Sequence, residues 1–414
     1  MSTAPSETTI SDTAPAKRGG VLEGVRVLDF GRYIAGPYCA ALLADLGAEV
    51  IRIERRDGSE DRFVQPVAPD SDCVEGAMFL QMNRNKHGLT LDPMTEKGRE
   101  IVRKLVRTAD VVVANLPPAT LKAMGLDYES LIAEKPDIIL TTVSAFGHGG
   151  PYSERTGFDG VAQCMVGAAD LTGTPDAPVK SYAPWVDFGT ASLCAYGTLA
   201  ALMERAKTGK GQIVEGSLLA TALAYFNFHL IEQDLRQINR QAIGNRSPYA
   251  GPADIVPTKD GWIMVQVIGF PLFKRWARLV GQEDWLDDPR FKDDLARGDN
   301  GQILSERTAQ WAEQYTTAEA LDLLAQARIP AGAVRTVQEA LDDPHVEAMN
   351  YLKSVSYPGL DKPARVMETP VRLSASNPSI AGRAPQLGEH TADILGALGY
   401  SAEDMAALKE DGVI

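Results

Sequence analysis

VRVLDFGRYIAGPYCAALLADLGAEVIRI, residues 25–53, decides the fold. Val25–Phe30 reads as a short strand. Gly36-Pro37 then opens a helix carrying Ala40, Ala41, Leu42, Leu43 and Leu46, because proline suits a first turn, where its missing N–H costs nothing. Gly47 ends that helix, and Glu49–Ile53 is the next strand. Strand, helix and strand in this order are the signature of a parallel sheet covered by helices. The unit recurs. A helix near Lys97–Thr108 precedes the strand Val111–Val113, and one near Tyr128–Ala133 precedes Ile138–Leu140. Strands this apolar are buried on both faces.

Downstream, Leu193–Arg205 reads as a helix ended by Thr208-Gly209-Lys210-Gly211. The strand Gln212–Val214 and a long apolar helix from Leu218 follow. The character then changes. Pro248, Pro252 and Pro257 surround a hairpin whose turn is Lys259-Asp260-Gly261. Helices follow, one with a capping box at Thr316 and Glu319. The expected organisation is a tail over 1–20, a large α/β domain over 21–225 and 339–414, and a smaller α+β domain over 226–338. The tail is rich in Ser, Thr, Ala and Pro, with no apolar periodicity and no signal-peptide core.

Two domains also suit a chain of 414 residues. Its net charge of −14 repels nucleic acid and anionic lipid, so neither is an expected partner. No apolar run approaches the roughly 18–20 residues of a bilayer span, so no membrane segment is expected. Cys39, Cys73, Cys164 and Cys194 form no CxxC pair; three lie in apolar stretches and read as core residues of a protein from a reducing, cytoplasmic compartment. Five histidines without ligand spacing predict no metal site.

Four stretches carry candidate chemistry. Arg52, Arg55, Arg56 and Arg62 follow the second strand, where arginine can grip phosphate; the plainer reading is a solvated loop balanced by Glu54, Asp57, Glu60 and Asp61. Asn83-Arg84-Asn85-Lys86 is either a polar binding edge or a turn. Asp187, in Val186-Asp187-Phe188-Gly189-Thr190, sits ahead of the Leu193 helix. It is either a helix cap or a carboxylate kept ionised by the helix dipole and ready to attack a carbonyl, with Gly189 leaving room for the substrate. Asp159 is a second carboxylate or the N-cap of the helix after it. GxGxxG, phosphate-loop and GxSxG patterns are absent.

From Leu22 onward these residues resemble the class III CoA-transferases, the CaiB–BaiF family. The resemblance rests on the order and spacing of Gly24–Asp29, Ala35-Gly36-Pro37, Leu46–Glu54, Asn83–Lys86, Ala109–Val113, Gly197–Arg205, Thr208–Gln212 and Arg383–Thr391. It implies a Rossmann-like large domain built from both ends of the chain, a smaller domain, and an interlocked homodimer. It implies transfer of CoA from an acyl-CoA to a free small carboxylic acid, through an aspartyl anhydride and an aspartyl-CoA thioester on Asp187, with backbone donors stabilising the oxyanions. By position it places CoA contacts at Ile34, Ala35, Arg55, Leu91, Asn115 and Leu116.

The chain also departs from family patterns. Ile34 and Ser144 stand where formyl-CoA transferases carry glutamine and lysine, Lys122 stands beside Ala123 where they have a basic contact, and their glycine-rich lid has no counterpart. Phe158 replaces the catalytic histidine of the racemase branch. An acyl-CoA racemase and a catalytically silent CoA-binding protein are the alternatives. Arg240 and Arg246 are candidates for a second carboxylate, which would suit a succinyl donor.

Overall fold

The computed structural model describes residues 19–68, 75–376 and 378–414; the expected tail up to residue 18 and Cys73 lie outside them. The described chain divides into two compact units. The first takes residues up to Met165, then Ala183–Asn227 and Glu347–Ile414; the second takes Val166–Tyr182 and Phe228–Val346.

The first unit is built on β1 (Arg26–Asp29), α1 (Ala35–Asp45), β2 (Glu49–Glu54), β3 (Lys86–Thr90), α2 (Glu96–Thr108), β4 (Val111–Ala114), β5 (Ile139–Ser144), α3 (Asp159–Met165), α4 (Trp185–Thr208), β6 (Ile213–Ser217) and α5 (from Leu218). The six strands form one parallel sheet in the order β3-β2-β1-β4-β5-β6. From β1 the chain builds outward through β2 and β3, then returns to lay β4 on the other side. The carboxyl ends of β1 and β4 therefore flank the point where strand order reverses, the place where open α/β sheets leave a ligand crevice. Leu28, Ile51, Val112 and Leu140 fill the core from the strands, and Ile101, Leu105 and Val106 from α2.

Arg52 and Arg62 of the first basic motif, and the whole of the second, build this core. Arg52 and Arg62, read from sequence as a phosphate grip or a solvated loop, are wholly buried. Arg52 reaches Asp61 at 2.9 Å, and Arg62 reaches Glu54 at 2.5 Å and Glu75 at 2.8 Å. The Asn83–Lys86 run is buried too. Arg84 pairs with Asp45 at 2.6 Å, and the Lys86 amine donates to Asp29 at 2.7 Å, to the Pro37 carbonyl at 2.8 Å and to Asn83 at 2.9 Å. Burial presses the Lys86 amine down to about 8 against the pull of Asp29. Burial also raises Asp29, but Lys86 and Arg52 more than offset it and hold the carboxyl below its usual range.

Helix α4 begins eight residues before the Leu193 start expected from sequence. At 24 residues it is long and apolar enough, by length and composition, to cross a bilayer, contrary to the expectation of no such stretch. Half of its apolar window is buried within this unit, and it packs on α1, β5 and β6, which is the behaviour of a core helix. Cys39 and Cys194 are buried as expected of core cysteines, but Cys164 is exposed.

In the second unit a three-stranded antiparallel sheet, Ala253–Pro257, Trp262–Gln266 and Ala331–Ala333, packs with helices around Phe273, Trp276, Phe291 and Trp311. The capping box at Thr316 and Glu319 is present. Residues 166–182, assigned by sequence to the large domain, belong here. They form a two-stranded ribbon, Gly173–Thr174 with Ala177–Pro178, whose Gly173 carbonyl accepts from the Gly244 N–H at 2.8 Å. Strands of two residues are too short to show a period.

The substitution Asp29→Asn keeps the side chain's shape and leaves the buried Lys86 and Arg52 short of counter-charge. Urea unfolding is expected to show a loss of about 3 kcal/mol or more, as when one partner of a buried ion pair is removed. A change below about 0.5 kcal/mol, the range of surface substitutions, would show that this network does not support the fold.

Candidate active site

The crevice predicted by strand order exists. A cavity of about 310 Å³ is lined by Arg32–Ala35 after β1, Asn115–Pro118 after β4, Val143–Ala145 at the end of β5, Ser153–Phe158, Leu218 and Asp187. The loops after β1 and β4 are joined by one side chain. The Asn115 amide accepts from the Arg32 N–H at 2.6 Å and donates to the Arg32 carbonyl at 2.8 Å. Gly36 permits this, since a Cβ there would lie 2.9 Å from Gly31 and 3.0 Å from the Asn115 oxygen. Below the loop, Asp29 accepts from the Gly31 N–H at 2.8 Å, and Arg52 donates to the Gly31 carbonyl. The buried charges thus set the pocket wall.

Of the residues singled out from sequence, Asp187, Ile34, Ala35, Asn115 and Leu116 meet in this one pocket. Arg55 and Leu91 do not line it. Leu91 has its side chain in the core. Arg55 follows β2 and is exposed, paired with Asp57 at 3.2 Å and Glu60 at 3.3 Å. Lys122 is exposed and also outside the lining. Arg240 is committed to Glu232 through contacts of 2.5 and 2.7 Å, and Arg246 donates to the Ile243 carbonyl at 3.2 Å; neither lines the pocket. Phe158 is 63% exposed and stands edge-on to Tyr33, with ring centroids 5.7 Å apart.

The structure corrects three readings of Asp187. First, it is no cap: it lies in the first turn of α4, whose N-cap is Pro184 with no side-chain cap bond. Capping is done from α3, where the Asp159 carboxylate accepts the Val186 N–H at 2.7 Å and the Asp187 N–H at 3.0 Å. Second, the helix start does not favour the ionised form. The remaining first-turn donors are also engaged, Trp185 N–H with Ala183 and Phe188 N–H with Pro184. Burial, and then the charge of Asp159, push the Asp187 carboxyl up to about 7. Third, the space above Gly189 is filled: a Cβ there would meet the Tyr225 ring at 2.5 Å. Glycine at 189 admits an aromatic ring from α5 rather than a substrate carbonyl. Sequence reasoning missed Arg32, Tyr33 and Arg155 as pocket residues, since only the strand order brings the loops after β1 and β5 together.

This electrostatic arrangement has a measurable signature. The Asp187 carboxyl ionises near 3.8 when unfolded and near 7 when folded. Stability due to its neutral form is fully present below the lower value and is lost as pH rises through the upper one. Asp187→Asn resembles the neutral form at every pH. Little change in unfolding free energy is expected at pH 4, and a gain of at least about 1 kcal/mol at pH 8, the worth of one pKa unit. Equal effects at both pH values would mean that the folded carboxyl ionises normally.

The chain matches the model of CoA-transferase family III over residues 22–391. It is 33% identical to the succinyl-CoA–D-citramalate CoA-transferase of Chloroflexus aurantiacus, over 95% of this chain and 98% of that one. It is 32% identical to a formyl-CoA:oxalate CoA-transferase of a Bradyrhizobium strain, over 95% and 97%. A solved CaiB/BaiF family protein from Brucella suis shares 32% identity and superposes with a TM-score of 0.80, covering 92% of this chain and all of the other. CoA-transferases use acyl-CoA as substrate. With a family match spanning the sheet, the pocket and Asp187, the chain belongs to CoA-transferase family III and is an enzyme of the CoA-transferase type.

Proposed function

We propose that the enzyme moves CoA from succinyl-CoA to a free carboxylic acid through covalent intermediates on Asp187. The observation that carries this reading is a half-buried carboxylate, short of hydrogen-bond donors, in a pocket at the reversal point of the sheet. Such a carboxylate is poorly solvated and correspondingly basic, as an attacking group should be. It adds to the thioester carbonyl, the C–S bond breaks, and CoA leaves as thiolate, giving a mixed anhydride. The thiolate attacks the aspartyl carbonyl, releasing the donor acid and leaving aspartyl-CoA. The acceptor carboxylate attacks that thioester and forms a second anhydride. Thiolate then attacks its acceptor-derived carbonyl, giving the new acyl-CoA and restoring Asp187. No water or ATP is consumed.

Ile34, Ala35, Asn115 and Leu116 hold the coenzyme near Asp187 in this reading. Arg55 meets its anionic part, exchanging exposed ion pairs that are each worth little for phosphate. A succinyl donor suits Ile34 and Ser144, which depart from the formyl-CoA pattern, and the relative from Chloroflexus aurantiacus is named for such a donor. Phe158 offers no proton-transfer group, which favours transfer over racemisation.

The decisive experiment is transfer from succinyl-CoA to a panel of acids without ATP, followed by mass spectrometry. Asp187→Asn is expected to fold and to lose at least about 10³-fold in rate, the scale of a deleted nucleophile. Wild-type enzyme given succinyl-CoA and then hydroxylamine is expected to carry the label on Asp187. Near-wild-type transfer by the Asn variant, with reversion to Asp ruled out, or acceptor-independent hydrolysis, would refute the reading.

We also propose a homodimer. Helix α4 exposes Leu193, Tyr196 and Met203, and α5, which runs to Arg236, exposes Phe228, Ile231 and Leu235. Tyr196 is 71% and Leu235 76% exposed. Apolar strips of this length are usually covered by a partner, here a second copy. Sedimentation at assay concentration is expected to give twice the 44.6 kDa chain mass; a fully active monomer would exclude an obligate dimer.

A further inference from the structure

We propose that Asp159 is a positioning residue of the transfer reaction: its carboxylate holds the first turn of α4 and sets a fixed neighbouring charge beside Asp187. The proposal rests on the reading of Asp187 as nucleophile and adds the residue that sets its reactivity.

The geometry is specific. Asp159 is only 7% exposed. One oxygen takes two N–H groups of the α4 start, those of Val186 and Asp187, and the other is met by the Gln163 amide. Three neutral donors therefore hold the Asp159 carboxylate in place. Asp187, on the same turn, receives no side-chain hydrogen bond from the described residues and faces that charge. Two carboxyl groups thus share one helix start with unequal hydrogen-bond support. Asp159 takes the donors that would otherwise calm the nucleophile.

Other groups surround the site. The pocket presents Arg32, Tyr33, Glu154 and Arg155. Helix α1 brings Tyr38, whose ring meets Phe188, and α5 brings Tyr225 beside Gly189. On β6, Glu215 lies 3.8 Å from His148, while β5 carries no charged side chain. Of all these, only Asp159 joins burial in raising Asp187.

The test is the pH dependence of kcat/KM for CoA transfer in wild type, Asp159→Asn and Asp159→Glu. Asparagine can still accept the two N–H groups, with the Gln163 amide turned, but carries no charge. In wild type the acid limb should fall near the Asp187 value of about 7. In Asp159→Asn it should move down by about one unit or more, the usual effect of removing a neighbouring like charge. At pH 6 the rate relative to its own plateau then rises from about 0.1 to about 0.5, from the fraction ionised. Asp159→Glu should keep the limb near its wild-type position. A slower Asn variant with an unmoved limb would overturn the proposal, because a merely structural role lowers rate without moving ionisation.

A second readout does not depend on activity. In wild-type protein with ¹³C-labelled aspartate carboxyls, one resonance should titrate near 7 and vanish in Asp187→Asn. If Asp159→Asn cannot be purified folded, this spectrum decides. A near-7 resonance that survives Asp187→Asn overturns the proposal. Failure of the nucleophile reading is distinguished by an active Asp187→Asn variant, whatever the spectrum shows.

Discussion

The first unit depends on a counter-charge buried under β1. Asp29 is the last residue of that strand, and it satisfies the Lys86 amine, the Gly31 N–H and part of the Arg52 field together. Lys86 in turn ties β3 to the Pro37 carbonyl of α1, and Arg52 ties β2 to the Gly31 carbonyl. Three strands and one helix are thereby joined around the Asp29 carboxylate and the Gly31 and Pro37 carbonyls. Replacing such an assembly with apolar residues is often neutral for stability. Its value here is placement: hydrophobic contacts tolerate a shift of the loop, whereas a buried ammonium with three acceptors does not. The loop so fixed carries Arg32 to Ala35 into the pocket.

At the pocket the same physics is used in the opposite sense. Buried charges under β1 are paired and silent, while Asp187 is half-buried, lies beside another carboxylate and has no ion pair with any of the described residues. Its ionised form is costly, and that cost falls on stability at the pH where the enzyme would work. Proteins concentrate such local losses at functional sites because reactivity and stability make opposite demands on one group. The surplus that carries the loss comes from the well-packed parallel sheet.

Much of this was legible in the sequence, and what was missed shares a cause. The strands, α1 and α2 follow from period and punctuation: Gly36-Pro37 opens α1, and Gly47 closes the turn after it with φ 101°, a conformation that favours glycine. Asp187 was found as a carboxylate near a helix start. The start of α4 was set too late because Ala183-Pro184-Trp185 reads as loop, while the capping oxygen comes from Asp159, 27 residues away from Val186 in sequence. The burial of the basic motifs is equally hidden. Arg52 and Arg62 read as solvated although their partners Asp61 and Glu54 are near in sequence, and Arg84 and Lys86 read as a polar edge or a turn because Asp45 and Asp29 are brought to them by the fold. Long-range pairing of polar groups leaves no periodic trace, whereas apolar burial does.

The position of Asp187 then follows from how α4 is held along its length. Thr190 bonds Thr221 at 2.8 Å, and Thr198 bonds Thr141 of β5 at 2.6 Å. Gly216 on β6 leaves room for the Cys194 sulfur, which any Cβ there would meet, and Gly197 leaves room for Val214. Gly189 receives the Tyr225 ring. Small residues on one helix and one strand bring α4 close to the sheet, and the threonine pairs fix its axial position. With Asp159 closing the first turn, the helix is restrained at its start and along its body. An attacking group must sit within a fraction of an ångström of its target line to be productive. A carboxylate on a helix held in this way meets that demand, which one on a free loop would not.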